Sequence, residues 1–157
     1  MTVYAIDPGP HTGIFWMNGT MPYWVTLDLR REKRPHRALY DWLRNNVNSL
    51  LDDKVVYESF EFRKEDAHER EYIDYSPGEL VGVIILFCEL MGTDCFRQTA
   101  ASAKGFWDDD KLKRAKLYIP GKEARHVRDA TRHWLYYHTL SPYKDAELSK
   151  EIFLRLK

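Results

Sequence analysis

The chain has 157 residues and a mass of 18.7 kDa, enough for one domain and too little for two. Its 24 Lys and Arg balance 24 Asp and Glu, so no bulk positive field attracts a polyanion, and any such attraction needs unevenly placed charges or bound cations. Hydrophobic residues at 44% and charged residues at 31% exclude wholesale disorder, while two cysteines, Cys88 and Cys95, are too few for a disulfide framework. No basic stretch followed by an apolar run opens the sequence, and the longest apolar stretch, Leu80 to Met91, is interrupted by Glu89 and too short to cross a bilayer. The expectation is a single soluble, reduced, cytoplasmic domain covering residues 1–157.

Val3 to Asp7 reads as a short buried strand that ends in a turn, Asp7-Pro8-Gly9-Pro10-His11-Thr12-Gly13. Ile14 to Met17 resumes an apolar run, Asn18-Gly19 is a two-residue hairpin signal, and Tyr23 to Leu29 follows as a third strand. After the basic run Arg30 to Arg37, Leu39, Trp42, Leu43, Val47, Leu50 and Leu51 recur at helical spacing, giving a helix that ends at Asp52-Asp53. Val55 to Glu58 is a β-branched strand, and the charged residues 61–75 read as a mobile loop. Ser76-Pro77-Gly78-Glu79 forms a capping box that opens the apolar helix Leu80 to Met91, closed by Gly92. Thr93 to Gln98 reads as a fifth strand and Thr99 to Gly105 as a loop. Asp108 then caps a short helix through Leu117. A last long helix runs from Glu123 to Leu140 and is broken by Ser141-Pro142, with a further helical turn or two between Ala146 and Leu156. The order predicts an α/β fold: a mixed five-stranded sheet, an antiparallel three-stranded meander plus two parallel strands, flanked by helices.

Acids fall at element ends. Asp7 ends the first strand and Glu58 the fourth; if those strands are parallel neighbours, both carboxylates leave the same sheet edge, where ligands collect. In the last helix, Val127, Ala130, Thr131, Trp134 and Leu135 share the core stripe. His126, Asp129 and His133 form a second stripe and Arg125, Arg128 and Arg132 a third, and folding alone requires neither. Several carboxylates with one imidazole suit Mg²⁺ or Mn²⁺, and crowded carboxylates repel one another without cations. Two such ions can activate water and stabilise the leaving oxygen of a phosphodiester. Taken singly, Asp7 reads as a turn residue, Glu58 as a solvated strand end, His126 and Asp129 as a surface pair, and His133 as a partly buried histidine.

Ala5-Ile6-Asp7-Pro8-Gly9 with Thr12-Gly13 resembles the first motif of RuvC-type Holliday junction resolvases, members of the RNase H-like superfamily. Val56-Tyr57-Glu58-Ser59-Phe60 resembles their second acidic strand and His126-Val127-Arg128-Asp129-Ala130 their last-helix motif. Gln98, Lys104 and the repeated Arg-His of the last helix are similar to the short bacteriophage forms. The resemblance runs from Thr2 to about Leu140. It implies an RNase H-like fold in which Asp7, Glu58, His126 and Asp129 hold two divalent ions, Mg²⁺ with Mn²⁺ able to substitute. It further implies a homodimer that cuts opposed strands of a four-way DNA junction and leaves 5′-phosphates. The sequence departs from the cellular enzymes in a turn after Asp7 that is one residue shorter, and in Glu61, flanked by Phe60 and Phe62, where they place an aromatic.

Arg63, Lys104, Lys113, Arg125 and Arg128 are the expected backbone contacts to branched DNA, and the run Arg30 to Arg37 is either a further contact or a solvated connection. Trp107 either stacks on a base or fills a core. Asp-x-Gly followed by Thr-Gly also resembles the phosphate loop of actin- and Hsp70-like ATPases, but their second loop and adenosine motif are missing, so no nucleotide cofactor is expected. A nuclease on flaps, forks or RNA–DNA hybrids, and a non-catalytic DNA-binding module of the same fold, remain as alternatives.

Overall fold

The computed structural model describes residues 1–59 and 77–157. Five strands, β1 (Val3–Asp7), β2 (His11–Asn18), β3 (Met21–Asp28), β4 (Lys54–Glu58) and β5 (Asp94–Gln98), form one mixed sheet in the order β3-β2-β1-β4-β5. The β1–β2 and β2–β3 pairs are antiparallel, whereas β1–β4 and β4–β5 are parallel. This is the expected meander plus two parallel strands. Every residue of β1 is buried, which explains an apolar run without alternation: the central strand is covered on both faces.

The helices complete that cover. Tyr4, Ile6, Ile14, Val55 and Tyr57 face α1 (Pro35–Asn46) and α2 (Pro77–Met91), where Leu39, Leu43, Leu80, Ile84 and Phe87 fill the gap. His36 Nε2 and Glu79 Oε2, 2.8 Å apart, tie the first turns of these two helices. Val3, Ala5, Phe15 and Val56 face the other way, against α5 (Arg125–Thr139). The predicted core stripe of α5, Val127, Ala130, Thr131, Trp134 and Leu135, is buried throughout. Behind it lie α4 (Asp109–Arg114) and α6 (Ala146–Arg155), with Leu112 and Ile152 in the same core. Trp107 is fully buried there and stacks on Phe153, so its role is packing. No described helix is long and apolar enough to cross a membrane.

Four boundaries differ from expectation for identifiable reasons. β2 starts at His11 because its backbone pairs on both sides, Gly13 with Asp7 and His11 with Asp28, leaving only Pro8 to Pro10 as the turn. The helix after Pro35 stops at Asn46. Asp53 accepts from the Asn48 and Thr2 amides and Asn48 caps Leu50, so Leu50 and Leu51 leave the apolar face and are 92% and 61% exposed. Residues 100–104, expected as loop, form the helix α3 (Ala100–Lys104), nucleated by Thr99, whose hydroxyl accepts from the Ser102 amide at 3.2 Å. The tail is a full helix, α6, capped by Asp145, which accepts from the Glu147 and Leu148 amides. The expected loop 61–75 and Ser76 of the expected capping box lie outside the described residues.

Candidate active site

Asp7 leaves the end of β1 and Glu58 the end of β4. The parallel register that pairs Ile6 with Tyr57 brings both acids to one edge of the sheet. Both belong to the face that α5 covers, and α5 delivers His126, Asp129 and His133 to that edge. β2 lets the helix come close: a Cβ built on Gly13 would stand 2.2 Å from the His126 carbonyl carbon, so only glycine fits there.

His126 Nδ1 lies 2.7 Å from Asp7 Oδ2. Burial raises the Asp7 carboxyl above the usual carboxylate range; the His126 bond opposes the rise, and the Glu58 and Asp129 charges add to it. That bond in turn holds the His126 imidazole above its ordinary value, against the effect of burial.

Lys104, the last residue of α3, projects between the other two acids. Its ammonium is 3.0 Å from Glu58 Oε2 and 3.0 Å from Asp129 Oδ2. Burial works against its charge, but Asp129, Glu58 and Asp7 outweigh that effect and its pKa is raised. A lysine expected to contact DNA thus supplies the positive charge that the carboxylates require.

Each acid is also held from behind. Glu58 Oε2 accepts from His133 Nε2 at 2.9 Å, and His133 Nδ1 is hydrogen-bonded to Gln98 Oε1 at 2.8 Å. Burial alone would raise the Glu58 carboxyl; His133 and Lys104 more than reverse this, and it sits below its ordinary value. Asp129 accepts from Arg132, whose guanidinium also reaches Asp109 and donates through Nε to the Trp107 carbonyl at 2.7 Å. In the sequence Arg132 belongs to an arginine stripe with no assigned role. Its spacing of i, i+3 from Asp129 was the available signal.

The other expected DNA contacts are dispersed. Arg125 is exposed beside His126. Arg128 donates to the Ile119 and Gly121 carbonyls at 3.0 and 2.7 Å and lies over the Tyr118 ring, holding the segment before α5. Lys113 pairs with Asp110 and lies over the Tyr118 ring, 5.2 Å from its centre. Arg63, Phe60, Glu61 and Phe62 lie outside the described residues.

Among the described residues no group of three or more His, Cys, Asp and Glu side chains is arranged as a ready metal-binding set. The donor chemistry nevertheless fits a hard divalent ion. Two carboxylates already converge on one cationic nitrogen, and a third, Asp7, its pKa raised mainly by burial and further by the other two charges, stands beside them. Partners behind each carboxylate fix its orientation, as hydrogen bonds around metal ligands do.

No protein-family model matches the chain, and no curated protein matches it in sequence. Among solved structures, it matches Thermus thermophilus RuvC with a TM-score of 0.57 and 15% identity, over 99% of this chain and 96% of that one. It also matches T. thermophilus RuvC in complex with Holliday junction substrate, with a TM-score of 0.51 and 14% identity at the same coverage. The fold is therefore RuvC-like along nearly the whole chain, as the motifs implied.

Proposed function

We propose that this chain is a metal-dependent, structure-selective endonuclease of the Holliday junction resolvase type, acting as a homodimer on four-way DNA junctions and on other branched DNA. The observation that carries the reading is the convergence of Glu58 and Asp129, from β4 and α5, on the Lys104 ammonium, with Asp7 of β1 beside them at one edge of a RuvC-like fold. A neighbour in fold has been solved with a Holliday junction substrate, which supports branched DNA as the ligand.

Asp7, Glu58 and Asp129, with His126, would hold divalent ions, Mg²⁺ or Mn²⁺, which when bound supply activation of water and stabilisation of the leaving oxygen. The chain's own residues set the frame for that chemistry. His126 orients Asp7, His133 and Gln98 orient Glu58, and Arg132 orients Asp129. Lys104 holds the carboxylates together. Arg125 is exposed at the rim, where it can meet a phosphate.

The homodimer reading rests on α2. One face of that helix, Leu80, Ile84, Phe87 and Cys88, is buried against the sheet and α1. Ile85, Leu86, Leu90 and Met91 remain exposed, Leu86 at 52% and Leu90 at 65%. An apolar stripe of this kind on an otherwise charged surface suits a two-fold contact that sets two sites against two strands.

The test is a parallel digest of labelled four-way junction, fork, flap, RNA–DNA hybrid and linear duplex with Mg²⁺, Mn²⁺ or chelator, using wild type and Asp7→Asn. Symmetric nicks at the junction, dependent on cation and lost in the variant, are expected. Equal cutting of flaps would broaden the substrate class. Tight binding without cutting under any cation would leave a binding module and overturn the nuclease reading.

A further inference from the structure

The cations closest to the acids are engaged within the site. Lys104 lies between two carboxylates, Arg132 holds Asp129 and Asp109, and Arg128 caps backbone carbonyls. A phosphate backbone leading away from the acids therefore needs charge from elsewhere. Between residues 30 and 37, Arg30, Arg31, Lys33, Arg34 and Arg37 stand against the single acid Glu32, in a chain of net charge +0. All five cationic side chains are exposed, and of them Arg37 is paired with Asp41 one turn further along α1.

Although remote in sequence from the acidic motifs, this segment begins at the active-site edge. The β2–β3 register pairs His11 with Asp28, and the Leu29 amide donates to the Pro10 carbonyl at 2.9 Å. The His11 ring stacks on His126, with centroids 6.2 Å apart and planes 26° apart. Asp28 lies 3.6 Å from His11 Nδ1, accepts from Arg30 Nε at 3.0 Å and forms an ion pair with Arg31, whose Nε is 3.1 Å away. Contacts thus run without a break from Asp7 through His126, His11 and Asp28 to the start of the basic run.

We propose that residues 30–34 form a contact line for the phosphate backbone of a DNA arm leaving the active site on the β2–β3 side. The inference rests on the nuclease reading above and adds to it where one arm lies. From Arg31 to Arg34 the chain spans at most about 11 Å. A duplex strand carries a phosphate for about every 3.4 Å of axis, so the segment can neutralise two or three successive phosphates. The contact is to backbone and carries no base preference.

The test compares wild type with the triple variant Arg31→Ala, Lys33→Ala, Arg34→Ala; Arg30 is kept because its guanidinium grips Asp28 through two nitrogens. A control removes the same charge elsewhere, with Lys144→Ala, Lys150→Ala and Lys157→Ala, three exposed lysines in and beside α6. Binding of a labelled four-way junction is titrated in chelator from 50 to 200 mM salt. The triple variant should bind at least about tenfold more weakly at the high-salt end, with a log–log salt slope shallower by about 2 to 3. Hydroxyl-radical protection should also disappear from a stretch of backbone a few nucleotides from the crossover. The control should keep the wild-type slope. A wild-type slope in the triple variant, or an equal change in the control, overturns the contact line while the nuclease reading stands. A wild type that binds no branched DNA overturns that reading, and the contact line falls with it.

Discussion

Gly13 lies against the backbone of His126, a residue 113 positions later, so closely that any side chain would overlap the peptide of α5. The His126 and Val127 backbone atoms would stand 2.2 to 2.5 Å from an added Cβ, and neither can rotate away as a flexible side chain would. Gly13→Ala must therefore push α5 off the sheet and draw His126 away from Asp7. Overpacking of this kind costs about 1–3 kcal/mol. A lowered urea midpoint together with lost cleavage is expected; wild-type stability would refute the close approach.

Lys104 and a divalent ion answer the same electrostatic demand. Lys104→Ala removes the ammonium from between Glu58 and Asp129, so in chelator the variant should melt lower, by an amount corresponding to about 1–3 kcal/mol. Added Mg²⁺ or Mn²⁺ should then raise its melting temperature more than it raises that of wild type. Equal cation-induced shifts in the two proteins would show that the lysine does not compensate the carboxylates.

His133 and Gln98 act on Glu58 as one unit. His133 is fully buried, with one ring nitrogen on Glu58 and the other on Gln98. His133→Phe keeps the volume and removes the hydrogen bond, and cleavage or cation affinity should fall about 10- to 100-fold. Adding Gln98→Leu should cost little more, because the pair shares one function. Additive losses in single-turnover cleavage would refute the coupling.

The exposed stripe on α2 makes a prediction about assembly. Leu86→Glu with Leu90→Glu places charge on the face that the homodimer reading buries, without touching Leu80, Ile84 or Phe87. Sedimentation should show a dimer for wild type and a monomer for the variant. A wild type that is monomeric at micromolar concentration would remove the basis for paired incision.

His138 should dominate one part of the pH dependence of folding. Its ring is packed against Trp134 and Tyr137, and burial lowers its pKa to about 4 from 6.5, with Asp145 opposing weakly. Between those values the unfolded chain binds a proton that the native chain does not, so stability is retained above about pH 6.5 and declines as pH falls toward 4. The full loss is roughly 3 kcal/mol. Denaturant unfolding of wild type and His138→Phe across this range isolates the effect; parallel curves would contradict it.

The sheet and the acid positions were legible because they depend on local signals. The apolar run before Asp7, the Asn18-Gly19 turn, Pro77 at a helix start and the α5 stripes all act within a few residues. What escaped depends on tertiary contact or on segments too short for periodicity. The five-residue α3 shows no helical period, yet it carries Lys104 into the acids. Arg132 belongs to a stripe that folding alone does not require, and its partners Asp109 and the Trp107 carbonyl lie more than 20 residues away, beyond the reach of helical spacing. Leu50 and Leu51 continued the apolar spacing, and only the Asp53 bonds to Asn48 and Thr2 show why the helix ends before them.

The order of the elements along the chain bears on when the candidate site can assemble. Asp7 and Glu58 emerge early in synthesis, but Lys104, Asp129 and His133 emerge late, and Gly13 waits for the His126 backbone to close over it. A ribosome-bound fragment that stops short of α5 carries Asp7, Glu58 and Lys104 but lacks His126, Asp129 and His133. On the nuclease reading, docking of that one late helix completes the site.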